Sequence, residues 1–431
     1  MPRYDYLRKY ASSDTWSPSI SPETVELART AINAIQNNHD VSATMLQSVI
    51  SLTYHFNSLA ELLGDPSLIQ DCILYLYRRK RQGVQVFDDE CGYLCFRILV
   101  LATNVLIISD YDNGAIWALL VSMDGERDTH GTLFKSVELL ARHHNDPDLK
   151  QASDLDSQLT YEYVISKENA LTLLDLLFKD REGFLRAWSE TESPTLAGLL
   201  LVLRRRIHTI SAPERWVHYV DIARRNYLAT IEVANDPLPK FEEDIRNHPR
   251  IWYSGAPIAV DPEDARTQLS LLTTRMRSQS NIESSAIPYS VLATSLAMHV
   301  FPKPEQGFIP GVEDLFIPLL RESFWGFWNY LEVNSTTSPV APDSLVNHAG
   351  ILIIMANRMV SHVKNATCLV SSREIMQEVV DLGLIEIVSK SILLIDDYNG
   401  EKINGKSVPD ITVGNIQIFQ QFIDHYHLTL R

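Results

Sequence analysis

The sequence predicts an all-α protein, and three observations predict it. Capped helix starts recur along the chain. The apolar runs between them have the length and period of helices. Strict two-residue alternation, the mark of a half-buried strand, is scarce. The chain has 431 residues, 45% of them hydrophobic and 21% charged. That is ample for a large core and too long for one ordinary core, so the length calls for two domains or one elongated array. At the usual helix size it holds about eighteen to twenty-two helices.

Residues 1–20 read as an arm, laid on the first helices or mobile. Their opening, Met1-Pro2-Arg3-Tyr4-Asp5-Tyr6, has no apolar core of the kind a signal peptide carries. Residues 21–431 read as one helical body with a break between halves at 235–262. Ser21-Pro22-Glu23 supplies a capping hydroxyl, a proline at the first helical position and an acid in the first turn. Val25, Ala28, Ile32 and Ile35 follow at helical spacing. Arg78-Arg79-Lys80-Arg81 ends a later helix before Gly83. Cations there meet the negative end of the helix dipole, or form an anion-binding patch or nuclear import signal. Val84-Gln85-Val86-Phe87 is the best strand candidate and is too short to imply a sheet.

The stretch 98–108 is the greasiest, and it falls short of the ~20 apolar residues that span a membrane. Asn113-Gly114 marks a turn. Runs 170–178 and 196–203 are apolar on nearly all sides, as helices packed between neighbours are. Arg204-Arg205-Arg206 follows the second of these and Arg224-Arg225 lies mid-helix, so the three basic clusters are candidates for one ridge. Ser211 and Ser371 each stand three residues before a glutamate, the capping box. The segment 235–262 holds five prolines and the pair Trp252-Tyr253. Asp261-Pro262-Glu263 starts the next helix. In 324–331, Phe324, Phe327, Trp328 and Leu331 share a core face, while Trp325 points about a quarter-turn away. Trp325 is therefore covered by another helix or is an exposed anchor. A last helix is expected over about 413–428.

Near the end, Gln377-Glu378-Val379-Val380-Asp381-Leu382-Gly383-Leu384-Ile385-Glu386-Ile387-Val388 runs from an amphipathic helix through one glycine into a second apolar helix. Gly114-Ala115-Ile116-Trp117-Ala118-Leu119-Leu120 and Gly198-Leu199-Leu200-Leu201-Val202-Leu203 echo it. This pattern resembles the junction between armadillo repeats. The resemblance implies an irregular armadillo/HEAT-like helical solenoid, an α-α superhelix whose groove binds peptides or protein surfaces. The groove asparagines of peptide-binding armadillo proteins do not recur here at repeat spacing, so no binding residue is carried over.

A net charge of −16 disfavours nucleic acid and acidic lipid surfaces as main partners. Four cysteines make no disulfide framework, and Cys91 and Cys95 lack the second pair of ligands a zinc site needs. Nucleophile elbows, zinc-protease helices and glycine-rich phosphate loops do not occur. These readings point to a non-enzymatic protein-interaction scaffold without cofactors, taking a protein or peptide partner. The compartment is cytoplasmic by default, with nuclear entry as a variant. Its candidate partner-binding residues are Trp325, Trp252, Arg78, Arg79, Arg81, Arg204 and Arg205. The rival is an all-helical magnesium-dependent enzyme acting on a diphosphate. Asp88-Asp89 and Asp396-Asp397 resemble the start of the terpenoid-synthase metal run, with glycine in place of its last acid. Those four carboxylates would be its metal ligands.

Overall fold

Helix starts in this protein are written in side-chain caps. Ser21 Oγ accepts from Thr24 N at 3.2 Å and opens α1 (Pro22–Gln36) with proline in its first turn. Asp65 does the same for α4 (Pro66–Arg81) and Ser166 for α8 (Lys167–Lys179). Asp261 Oδ1 accepts from Asp264 N at 2.8 Å and opens α12 (Pro262–Gln279). Between these come α2 (Ala43–Ser51), α3 (Phe56–Leu63), α5 (Glu90–Tyr111), α6 (Ala115–Ser122) and α7 (Thr129–Asn145). α9 (Arg181–Glu190), α10 (Ala197–His208) and α11 (Pro213–Ala229) follow α8. α13 (Phe316–Thr337), α14 (Pro342–Asn365) and α15 (Ser372–Asp381) follow α12. The computed structural model describes residues 4–11, 20–111, 115–124, 126, 129–145, 164–208, 213–230, 259–279, 310–337, 342–365, 372–384, 386–387, 390, 402–403 and 406–407.

The chain is all-α. Among the described residues the extended structure is one antiparallel pair of two-residue strands, Lys402–Ile403 with Lys406–Ser407. The strand candidate at 84–87 is instead the turn between α4 and α5, with Val86 and Phe87 buried in it. The helix expected over 413–428 lies outside the described residues.

Two compact units divide the chain, Met1–Ser254 and Gly255–Arg431. In the first, α5 is the central helix and is met by α2, α3, α4, α6, α7 and α10. Every residue from 92 to 108 is buried. Its polar side chains donate to nearby oxygens: Arg97 to the Tyr93 hydroxyl and the Glu192 carbonyl, both at 2.9 Å. Thr103 donates to Leu99 O at 2.8 Å, and Asn104 to Thr195 O at 3.0 Å. The expectation that this stretch is too short to cross a membrane is corrected. The segment Glu90–Ser109 is long and apolar enough by composition, and its apolarity is accounted for by neighbours that bury 94% of it.

Residues 5–10 form a 3-10 turn that straps α5 to α9. Tyr6 donates to the Phe87 carbonyl at 2.9 Å, and Tyr10 donates to Glu90 at 2.5 Å. Glu192 N donates to the Tyr10 carbonyl at 2.9 Å. Burial pushes both phenols well above their ordinary range, so they stay neutral donors.

In the second unit α13 packs on α12, α14 and α15. Phe316, Leu319, Leu320, Phe324, Phe327 and Leu331 are its inward face, each fully buried. After α15 the chain turns its corner at Gly383, whose φ of 73° is left-handed. Gly383 N donates to Val380 O, and Ile387 N already donates back to Gly383 O, both at 3.0 Å. Leu384 and Ile387 are buried on the far side of that corner. The positive φ explains glycine at this position, because a Cβ is strained there.

Candidate interaction surface

Trp325 is 58% exposed, although its neighbours Phe324 and Phe327 are buried. Helix geometry explains this. The inward stripe of α13 fixes which positions face α12 and α14, and Trp325 falls outside it. One turn back is exposed Arg321, and one turn on is Trp328, which was expected on the core face and is half-buried at its edge. The indole is therefore mounted on a helix whose opposite face is locked into core.

Two ion pairs between helices flank it. Arg321 grips Glu378 of α15 with two parallel bonds, Nε to Oε1 at 2.5 Å and Nη2 to Oε2 at 2.9 Å. Arg277, in the last turn of α12, donates through Nε to Glu322 at 2.7 Å. Trp328 Nε1 donates to the Leu382 carbonyl at 3.4 Å, and Lys390 Nζ stands 5.1 Å from the Trp328 ring centre. An exposed aromatic with charged side chains on the turn before it is the kind of residue that can anchor an interface.

The basic residues singled out in the first unit are distributed differently. Arg78 donates to the Asn38 carbonyl and lies 5.5 Å from the Tyr75 ring. Arg79 pairs with Asp89 and also reaches the Tyr75 hydroxyl, at 3.4 Å. Both tie the end of α4 to its surroundings, while Arg81 is exposed. Arg204 and Arg205 are half-buried near the end of α10, and Arg206 donates to the Ile165 carbonyl at 2.7 Å.

The ridge drawn from three basic clusters is corrected at Arg224 and Arg225. Both are fully buried, pairing with Asp221 at 2.8 and 2.9 Å. Arg181 adds a third guanidinium at 3.7 Å. Burial alone pushes the Asp221 carboxyl up, but the three arginines outweigh it and hold it at about 2. The spacing of Asp221, Arg224 and Arg225 is the i, i+3, i+4 of a helix face, and that signal was present in the sequence.

Asp175 is a second unforeseen centre. It pairs with Arg215 and, at 3.1 Å, with His218 Nδ1. The His218 ring stacks on Phe178 with centres 3.9 Å apart. Burial lowers the His218 pKa below its ordinary value, against the opposing pull of Asp175.

Of the carboxylates proposed for magnesium, Asp88 accepts from Gln85 N at 2.6 Å. Asp89 accepts from Gly92 N at 2.9 Å and pairs with Arg79. These bonds make Asp88 a turn brace and Asp89 the cap of α5. Asp396, Asp397 and Trp252 lie outside the described residues. Among the described residues no three His, Cys, Asp or Glu side chains gather as a metal site. Comparison with known protein families, with curated proteins and with solved structures finds no match to this chain.

Proposed function

We propose that the protein is a non-enzymatic interaction scaffold of the irregular armadillo/HEAT-like kind, offering a preformed helical surface to a protein or peptide. One observation carries this reading: Trp325 is largely exposed on a helix whose other face is fully buried. Leaving a tryptophan in water forgoes a large apolar burial, on the order of 2–3 kcal/mol. A rigid backing also lowers the ordering cost that a partner meets on docking. The glycine corner after α15 supports the repeat-like part of the reading. The six helices around α5 make the first unit more closed than a simple stack, in which each repeat touches only its neighbours. Asp88 and Asp89, two of the four carboxylates proposed for magnesium, accept from backbone and arginine partners.

The test is proximity labelling with the native chain and with Trp325→Ala. The native chain should label a reproducible set of proteins, part of which disappears in the variant. Circular dichroism and the melting temperature should not change, because the side chain fills no core. Identical labelling by both proteins refutes the reading.

A further inference from the structure

We propose that the Trp325 face of α13 docks an acidic peptide segment carrying one large apolar side chain. The inference rests on the scaffold reading above and adds the chemistry of the partner. It comes from the way the two flanking ion pairs are oriented. In the Arg277–Glu322 pair the arginine side chain is 63% exposed and the glutamate 16%. In the Arg321–Glu378 pair the values are 61% and 14%. Each pair holds its carboxylate inward and presents its guanidinium outward. A partner reaching Trp325 therefore meets outward guanidiniums at the helical turn just before the indole.

Helix spacing makes the two pairs neighbours of the ring. Arg321 is four residues before Trp325 and Glu322 is three before it, so both lie about 5–6 Å away at Cβ. Arg321 spends Nε and Nη2 on Glu378, and its Nη1 meets no acceptor among the described residues. That nitrogen is placed for one further oxygen, and guanidinium suits carboxylate in geometry as well as charge. Lys390, against Trp328, adds a cation one turn further along α13. Exposed Glu332 closes the basic stretch at the far end. The apolar requirement comes from Trp325 itself, since a purely acidic segment would leave the indole wet.

Charge also separates the occupants. A second copy of this chain brings a net charge of −16, so self-docking starts from mutual repulsion. A short acidic segment brings its charge only where the guanidiniums are. Across such a rim the charged groups contribute mainly to encounter rate and selectivity, and the apolar anchor contributes most of the affinity.

The experiment uses the full chain labelled with 5-fluorotryptophan, the Trp325 fluorine signal being assigned by its loss in Trp325→Phe. Three synthetic peptides are titrated at about 0.15 M salt, where charges interact over about 8 Å. The first places one phenylalanine among Asp and Glu. The second replaces those acids by Asn and Gln. The third keeps the acids and replaces phenylalanine by alanine. The first should shift the Trp325 signal saturably and bind at least tenfold tighter than the other two. The variant Arg277→Glu/Arg321→Glu should lose at least tenfold for the first peptide and nothing for the second, and Arg277→Gln/Arg321→Gln should fall between. Equal binding of the first and second peptides overturns the acidic partner and leaves the anchor standing. A Trp325 signal that moves with protein concentration alone overturns the peptide in favour of a second copy. No shift with any peptide also overturns the inference, whereas the scaffold reading is decided separately by the labelling in cells.

Discussion

Replacing Asp221 by asparagine is the sharpest test of the packing described for the first unit. The change is nearly isosteric, so it removes charge and little volume. Arg224 and Arg225, each without solvent exposure, lose the carboxylate they hold at 2.8 and 2.9 Å. Removing one partner of a buried pair typically costs about 3–5 kcal/mol. For a unit of this size that is about 6–20 °C of melting temperature. An independent figure comes from titration. A carboxyl brought from 3.8 to about 2 contributes roughly 2 kcal/mol at neutral pH. The two figures differ because the second counts only the difference between charged and neutral Asp221, and the first also includes stranded guanidiniums. The sign follows from a depressed carboxyl: its stabilisation is complete above 3.8 and is lost as pH falls through about 2. Urea and thermal melts followed by circular dichroism should show the gap between native and Asp221→Asn at pH 7, narrowing as pH drops from about 4 toward 2. Exchanging the whole cluster, Asp221→Leu with Arg181→Met, Arg224→Met and Arg225→Leu, should recover most of the loss, since well-packed apolar groups replace buried ion pairs at little cost. A single variant within 1 kcal/mol of the native chain, or a gap indifferent to pH, refutes this account.

Two more outcomes follow from the same unit. His218 has a folded-state pKa below the ordinary 6.5 because burial disfavours its cation, so its contribution is complete above 6.5 and is lost as pH falls through the folded value. The urea midpoint should therefore drop between pH 7.5 and 5.5, and His218→Gln should flatten that slope; an unchanged slope in the variant removes His218 as the cause. Gly92→Ala would place a Cβ 2.1 Å from the Val86 carbonyl oxygen, so the turn before α5 must move. A loss of about 1–3 kcal/mol in equilibrium unfolding is expected, and a neutral substitution would show that this turn yields freely.

What could be read from the sequence was local. Ser21, Asp261 and Gly383 announce helix boundaries because caps and left-handed glycines act within a few residues of themselves. Phe324, Phe327 and Leu331 share a face by helical period alone, and all three are buried. Which cations reach solvent was not legible. Arg224 and Arg225 look like a surface cluster until α11 is enclosed, and Arg78 looks free until the end of α1 brings the Asn38 carbonyl to it. Arg277 and Arg321 carry no mark of their pairing in the sequence, because their carboxylates come from other helices, 45 and 57 positions away. Trp325 was ambiguous for the same reason. Its angle on α13 follows from the sequence, but whether a neighbour covers that angle depends on where α12 and α15 lie.

The bulk charge and the local geometry favour opposite partners, and distance decides between them. At −16 the chain as a whole repels an acidic segment and attracts a basic one. That repulsion acts at long range, and at about 0.15 M salt it is screened beyond about 8 Å. Beside Trp325 the two flanking pairs present guanidiniums outward, with their own carboxylates turned inward. An acidic partner is then slowed on approach and held on contact. Raising salt from very low values should first speed its association, as the distant repulsion is screened. Above about 0.15 M association should slow again, as the local attraction weakens. A partner attracted by bulk charge would show only the second trend. Stopped-flow association of the acidic phenylalanine peptide across that salt range separates the two, and a rate that falls steadily from the lowest salt would show that the local arrangement around Trp325 does not govern the encounter.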